Sequence, residues 1–169
     1  MVCYLLLIGM VALERLAEFI VAERNRGWSR AHGSVEFGAR HYPSMVMLHV
    51  GLLVGCPVEA IAWQRPFIPW LGWPMLAIVL AAQSLRWSCI ATLGRQWNTR
   101  VIVVPGAGRV TSGPYRLVSH PNYVAVVAEG VALPLVHTAW MTALAFSALN
   151  AALLTSRVKV ENAALASLT

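Results

Sequence analysis

The sequence predicts an all-α integral membrane protein of about five transmembrane helices, with a cytoplasmic loop cap and a C-terminal helix. Three observations predict it. The 169 residues are 58% hydrophobic and 12% charged, where a soluble globular domain carries about 25% charged residues. The mean hydropathy is +0.63. The apolar residues gather in runs close to the roughly 20 residues that a helix needs to cross a bilayer. Thirteen basic residues stand against seven acidic ones, giving a net charge of +6. These cations lie between the apolar runs, so they point to an anionic membrane face and not to nucleic acid.

The elements follow in order. Residues 2–22 form the first span, although Glu14, Arg15 and Glu18 interrupt it. It lacks a basic leader region and a small-x-small cleavage pattern, so it reads as an uncleaved helix. Residues 44–62 form the second span, directly after His41-Tyr42-Pro43. Residues 70–92 form the third, with Trp70 and Trp73 as interface anchors at one end. Residues 94–121 are the longest polar stretch. Their short β-branched runs, 101–104 and 110–111, are separated by Pro-Gly-Ala-Gly. This predicts a small extended or hairpin-like cap at the membrane surface. Residues 123–136 and 139–155 complete a helical hairpin, with Pro134, His137 and Thr138 at a tight turn. Its first arm is short for a full crossing and is expected to tilt or kink at Pro134.

The cations set the orientation. Arg24, Arg26, Arg30 and Arg40 fall in the first long loop, and Arg95, Arg100, Arg109 and Arg116 in the second; Arg157 and Lys159 fall in the tail. The opposite side has only Arg65. Both long loops and the C-terminus are therefore expected in the cytoplasm, and the N-terminus opposite. The charges inside spans, Glu14, Arg15, Glu18 and Arg86, are expected to face the bundle interior. There they either pair for folding or line a tunnel. Cys3, Cys56 and Cys89 form no CxxC pair and read as buried thiols. No two of the histidines 32, 41, 49, 120 and 137 have ligand spacing, so no metal site is expected.

Two polar clusters remain. "GPYRLVSHPNY" stands at the threshold of the fourth apolar run. Pro121 suits the first turn of a helix, and Ser119 or Asn122 is a candidate cap. Such a start is also a natural anion site, and His120, Tyr115, Arg116 and Tyr123 gather there. The second cluster, "SRVKVENAAL", places Arg157 and Glu161 four apart on one helical face. They make either an exposed pair, contributing about 0.3–0.5 kcal/mol, or an inward functional pair. In the second case the guanidinium holds an oxyanion and the carboxylate an ammonium.

"VTSGPYRLVSHPNY", an apolar hairpin and then Arg-x-x-x-Glu together resemble the isoprenylcysteine carboxyl methyltransferase family of integral membrane methyltransferases. The likeness is strongest over residues 105–165; the loop "VEFGARHYP" is similar to bacterial members. The resemblance implies one transmembrane methyltransferase domain over 1–169, whose cofactor-binding part is about 94–169. It implies S-adenosyl-L-methionine held by a loop and a helix start, which suits a chain without GxGxxG. By the same likeness the cofactor is contacted by Ala107, Gly108, Arg109, Val110, Tyr115, His120, Pro121, Asn122, Tyr123 and Glu161, and Arg157 serves the methyl acceptor. Asn162, Ser119 and Ala125 depart from the family pattern, where a second acid, a basic residue and a Gly are common. The expected activity is O-methylation of a lipophilic acceptor, either a long-chain polyketide or alkylpyrone-like hydroxyl or an isoprenylcysteine carboxylate. The short chain and bacterial-type loop favour the hydroxyl. A phospholipid N-methyltransferase and a non-catalytic membrane adaptor are the alternatives. The expected location is a bacterial inner membrane, with the active site facing the cytoplasm.

Overall fold

A computed structural model describes residues 1–39 and 42–166, with the side chains of residues 165 and 166 outside the description. Arg40 and His41, both named in the sequence reading, lie outside the described residues. Among the described residues, five α-helices carry the fold: α1 (Val2–Ala31), α2 (Tyr42–Ala62), α3 (Pro69–Leu93), α4 (Pro121–Leu135) and α5 (Trp140–Ala166). Three of them, α2, α3 and α5, are long and apolar enough to cross a membrane. Helix α1 turns Leu6, Met10, Leu13 and Leu16 outward while Glu18 is buried. An apolar exterior over a charged interior is what a lipid solvent demands.

The 15 residues of α4 make it the shortest helix, about 22 Å long. Tyr123, Ala125, Val126, Glu129, Gly130, Ala132 and Leu133 are all buried along it. It is the axis of the bundle. Tyr4, Ile8 and Val11 of α1, Leu52 and Cys56 of α2, Val79 of α3 and Phe146 of α5 pack around Val126 and Leu133. Gly130 allows the closest approach: a Cβ there would lie 2.0 Å from the Phe146 ring. Pro134 lies in the last turn of α4, so the helix stops at Leu135 and does not kink mid-span. The following turn places Thr138 at φ 54, and its hydroxyl donates to the Pro66 carbonyl at 2.8 Å.

The sequence reading needs five corrections. First, α1 continues past residue 22 to Ala31: "ERNRGWSRA" leaves the apolar zone but contains no proline, and its Glu, Arg and Ala residues are good helix formers that outweigh Gly27. Second, the cap is extended at 101–103, as expected, but it is not a local hairpin. Strand β2 (Val101–Val103) pairs antiparallel with β1 (Val35–Phe37) of the other long loop, in the register Glu36 opposite Ile102. This pairing ties both polar loops to one side of the bundle. Third, neither Ser119 nor Asn122 caps α4; His120 is the N-cap residue, without a side-chain capping bond. Fourth, Cys3 is exposed, whereas Cys56 and Cys89 are buried. Fifth, Glu14 is half-buried and makes no hydrogen bond or ion pair among the described residues.

Candidate functional site

The cap side of the bundle brings the two polar clusters of the sequence together. Pro121 opens α4, which sets His120 just outside the helix and Tyr123 one turn in. The His120 and Tyr123 rings stack at 5.3 Å. Helix α5 runs without a break through Arg157 and Glu161. Its inward face meets α4 here, so the pair is not an exposed one.

Arg157 and Glu161 meet through a third residue. Arg157 Nε donates to the Tyr123 hydroxyl at 2.9 Å, and that hydroxyl donates to Glu161. Arg157 Nη2 donates to the Thr99 carbonyl at 2.6 Å, and Nη1 lies 2.8 Å from Met45 Sδ. Held at three nitrogens, the guanidinium plane is fixed. His120 Nε2 lies 3.0 Å from Asn162 Oδ1, and Nδ1 lies 3.5 Å from Glu161 Oε1. Bonding to Glu161, helped by Asn162, holds the His120 imidazole above its ordinary range against burial and the charge of Arg109. Burial and the neighbouring Cys89 push the Tyr115 phenol up, so Tyr115 stays a donor.

Two cavities share this cluster. A small one of about 110 Å³ lies under the cap, lined by Tyr115, His120 and Glu161 with Asn98 and Arg100. A larger one of about 290 Å³ runs into the bundle. Leu16 and Phe19 of α1 and Val46 and Val50 of α2 line it, and all four are also exposed to the lipid side. Trp97, Asn122, Tyr123 and Arg157 belong to both walls. Of the residues named from the sequence, Tyr115, His120, Asn122, Tyr123, Glu161 and Arg157 thus come together. Ala107, Gly108, Arg109 and Val110 lie in the irregular cap loop outside both walls, and Pro121 is buried at the start of α4, also outside them.

Deeper in the bundle, a second set of charges closes on itself. Arg15 binds Glu18 at 2.7 Å and Glu129 at 2.8 Å; Arg86 binds Glu129 at 2.6 Å and approaches Glu18 at 3.4 Å. Sequence reasoning missed Glu129, although a lone carboxylate in an apolar run was a sufficient signal. It also missed Trp97, Asn98, Thr99 and Arg100, which carry no pattern of their own. Their place is set by the β1–β2 pair, with Arg100 bound to Glu36 at 2.7 Å.

Residues 75–167, which hold the whole Tyr123–Arg157–Glu161 cluster, match the isoprenylcysteine carboxyl methyltransferase family. The chain belongs to that family. A relative in Bacillus subtilis, uncharacterized protein YpbQ, is 37% identical over 161 residues, 95% of each chain. An uncharacterized protein of Haemophilus influenzae is 26% identical over 141 residues, 82% of this chain and 80% of its own. No solved structure matches. Family membership makes the chain a membrane methyltransferase.

Proposed function

We propose that the protein is an S-adenosyl-L-methionine-dependent O-methyltransferase acting at the membrane. Its acceptor is lipophilic: a long-chain polyketide or alkylpyrone-like hydroxyl, or an isoprenylcysteine carboxylate. One observation carries the reading. Tyr123 and Arg157 stand in the walls of two cavities, one polar and under the cap, the other apolar and bordered by lipid-facing side chains. A water-soluble donor and a lipid-soluble acceptor each have an approach, and the approaches meet at one wall.

The small cavity's donor set fits the cofactor. Glu161 suits an ammonium, the stacked His120–Tyr123 pair offers an aromatic face, and Tyr115 offers a hydroxyl donor. Bound there, the cofactor supplies an electrophilic methyl group on a sulfonium. In this reading Ala107, Gly108, Arg109 and Val110 cover it from the cap, while Pro121 fixes the helix start that aims Asn122 and Tyr123. Arg157 orients the acceptor oxygen, because Thr99 and Tyr123 already hold its plane. The apolar walls of the large cavity exclude water from the transfer. The cap and its cations face the cytoplasm of a bacterial cell.

The test uses purified protein, methyl-labelled cofactor and two acceptors, a long-chain 4-hydroxy-2-pyrone and farnesylcysteine. Label should enter one of them. Arg157→Ala should slow turnover about a hundredfold, equivalent to about 2.7 kcal/mol, with cofactor affinity kept. Glu161→Ala should weaken cofactor binding itself. Near-normal turnover in Arg157→Ala contradicts the assignment.

A further inference from the structure

His49 sits in the large cavity with one nitrogen committed and one free. Its Nδ1 lies 2.8 Å from the Met45 carbonyl oxygen. A carbonyl only accepts, so Nδ1 carries the hydrogen, and in the neutral ring Nε2 is a bare acceptor. No described residue partners Nε2, nor is it among the buried polar atoms left without a bond. The ring lines the cavity and stands edge-on to Phe146 at 5.5 Å.

The helices aim this ring at the reaction wall. Side chains on an α-helix lean toward its N-terminus. Helix α2 leaves the cap, so His49 leans back toward it, over the Met45 turn. Helix α5 approaches the cap, so Arg157 leans down into the bundle, and its Nη1 reaches Met45 Sδ. The imidazole and the guanidinium thus converge on one methionine. The surrounding charges nearly cancel. Arg15 and Glu18 face the ring from α1, Arg86 from α3 and Glu129 from α4, two of each sign. Tyr42 of the same helix and Tyr123 of α4 complete the titratable neighbours. Arg157 is the remaining cation, and an oxyanion formed beside it would offset it.

We propose that His49 is the proton acceptor for a neutral, phenol-like hydroxyl. This rests on the large cavity being the acceptor site, as set out above. The acceptor oxygen gains the methyl group from the sulfonium donor, whose S–CH₃ bonding electrons stay on sulfur. The same oxygen loses its proton to His49 Nε2 while Arg157 holds the charge developing on it. A carboxylate has no such proton to give, so His49 has work only with a hydroxyl acceptor.

The first measurement needs no turnover. 4-Dodecyl-2-nitrophenol, whose phenolate absorbs in the visible, is titrated onto the detergent-solubilised protein without methyl donor. The bound probe should ionise at a pH lower by about one unit or more in wild type than in His49→Asn. Asn keeps an N–H for the Met45 carbonyl and lacks a basic nitrogen; its amide oxygen accepts a hydrogen bond but not a proton. Unmoved ionisation overturns the His49 role alone. No binding of the probe by wild type overturns the acceptor-cavity reading and this role with it. The second measurement is the wild-type rate on 4-dodecylphenol against pH, which is informative even if His49→Asn fails to fold. It should be level over the range in which the phenol still holds its proton, well below the phenol's own value of about 10, because the imidazole takes that proton in the transfer itself. A rate climbing tenfold per pH unit toward the phenol's own value of about 10 overturns the proposal. In His49→Asn the plateau should fall about a hundredfold.

Discussion

The molecule holds two polar clusters built from the same residue types. Near the cap, Arg157, Tyr123, Glu161 and His120 leave open faces on two cavities. In the bundle, Arg15, Arg86, Glu18 and Glu129 pair with one another, and the two arginines also reach Gln83 and Asn122; Arg86, Glu18 and Glu129 are each no more than 4% exposed. The difference lies in what completes each cluster. The deep one is balanced, two charges of each sign in direct contact, although Arg15, Glu18 and Arg86 also border the large cavity. The cap cluster has an arginine and a glutamate that meet only through a phenol. Each keeps capacity for a ligand of opposite charge. Charge content alone does not mark a site; opposite charges held apart by a third group beside a cavity do.

The largest expected effect comes from breaking the balanced cluster. Glu129→Ala leaves two buried guanidiniums sharing the single carboxylate of Glu18, since both Arg15 and Arg86 bind Glu129 Oε2. Breaking one side of a buried pair costs about 3–5 kcal/mol. Thermal unfolding in detergent should show a large loss, or no folded protein. Replacing Arg15, Glu18, Arg86 and Glu129 together by Met or Leu removes all four charges and should restore much of the loss. If the fourfold variant folds but transfers no methyl group, the deep cluster also serves the acceptor.

A smaller effect is expected where the clusters differ most, at the phenol joining Arg157 to Glu161. Tyr123→Phe keeps the ring stacked on His120 and removes the one hydroxyl that both charged residues use. A hydrogen bond to a charged group is worth about 1.5–3 kcal/mol. Cofactor affinity by calorimetry should fall about tenfold or more, with the melting temperature changed much less than in Glu129→Ala. A variant that unfolds like Glu129→Ala would make the cap cluster a structural one as well.

How far these clusters were legible in the sequence follows from the range of the forces involved. The spans of α2 and α3 are written locally in apolar runs, and their ends agree with the structure within two residues. Tyr123, Arg157 and Glu161 were legible as motif residues on two segments that a short hairpin must bring together. The β1–β2 pairing was not, because its partners lie more than sixty residues apart and each strand has only three residues. With it went Thr99 and Arg100, which gain their roles only when the two loops meet. The second cavity was invisible for the same reason. His49 reads as one polar residue in an apolar helix until α5 brings Arg157 to the same methionine.

The smallest effect is a pH dependence at the cap cluster. His120 is held above its ordinary value of about 6.5 chiefly by Glu161. Below that ordinary value the ring is charged in folded and unfolded chains alike, and its pairing with Glu161 stabilises the protein fully. As pH rises through the elevated folded value, the ring loses its proton and that contribution disappears. Stability without cofactor should therefore decline slightly over the interval above pH 6.5. Cofactor affinity should move the other way. An imidazolium beside Glu161 competes with the ammonium assigned to that carboxylate, so binding should tighten severalfold over the same interval. His120→Asn should flatten both curves. Calorimetric titrations at several pH values, paired with melting curves, check the two signs together. If affinity weakens as pH rises, Glu161 is not the ammonium partner, and the open face of the cap cluster has a different use.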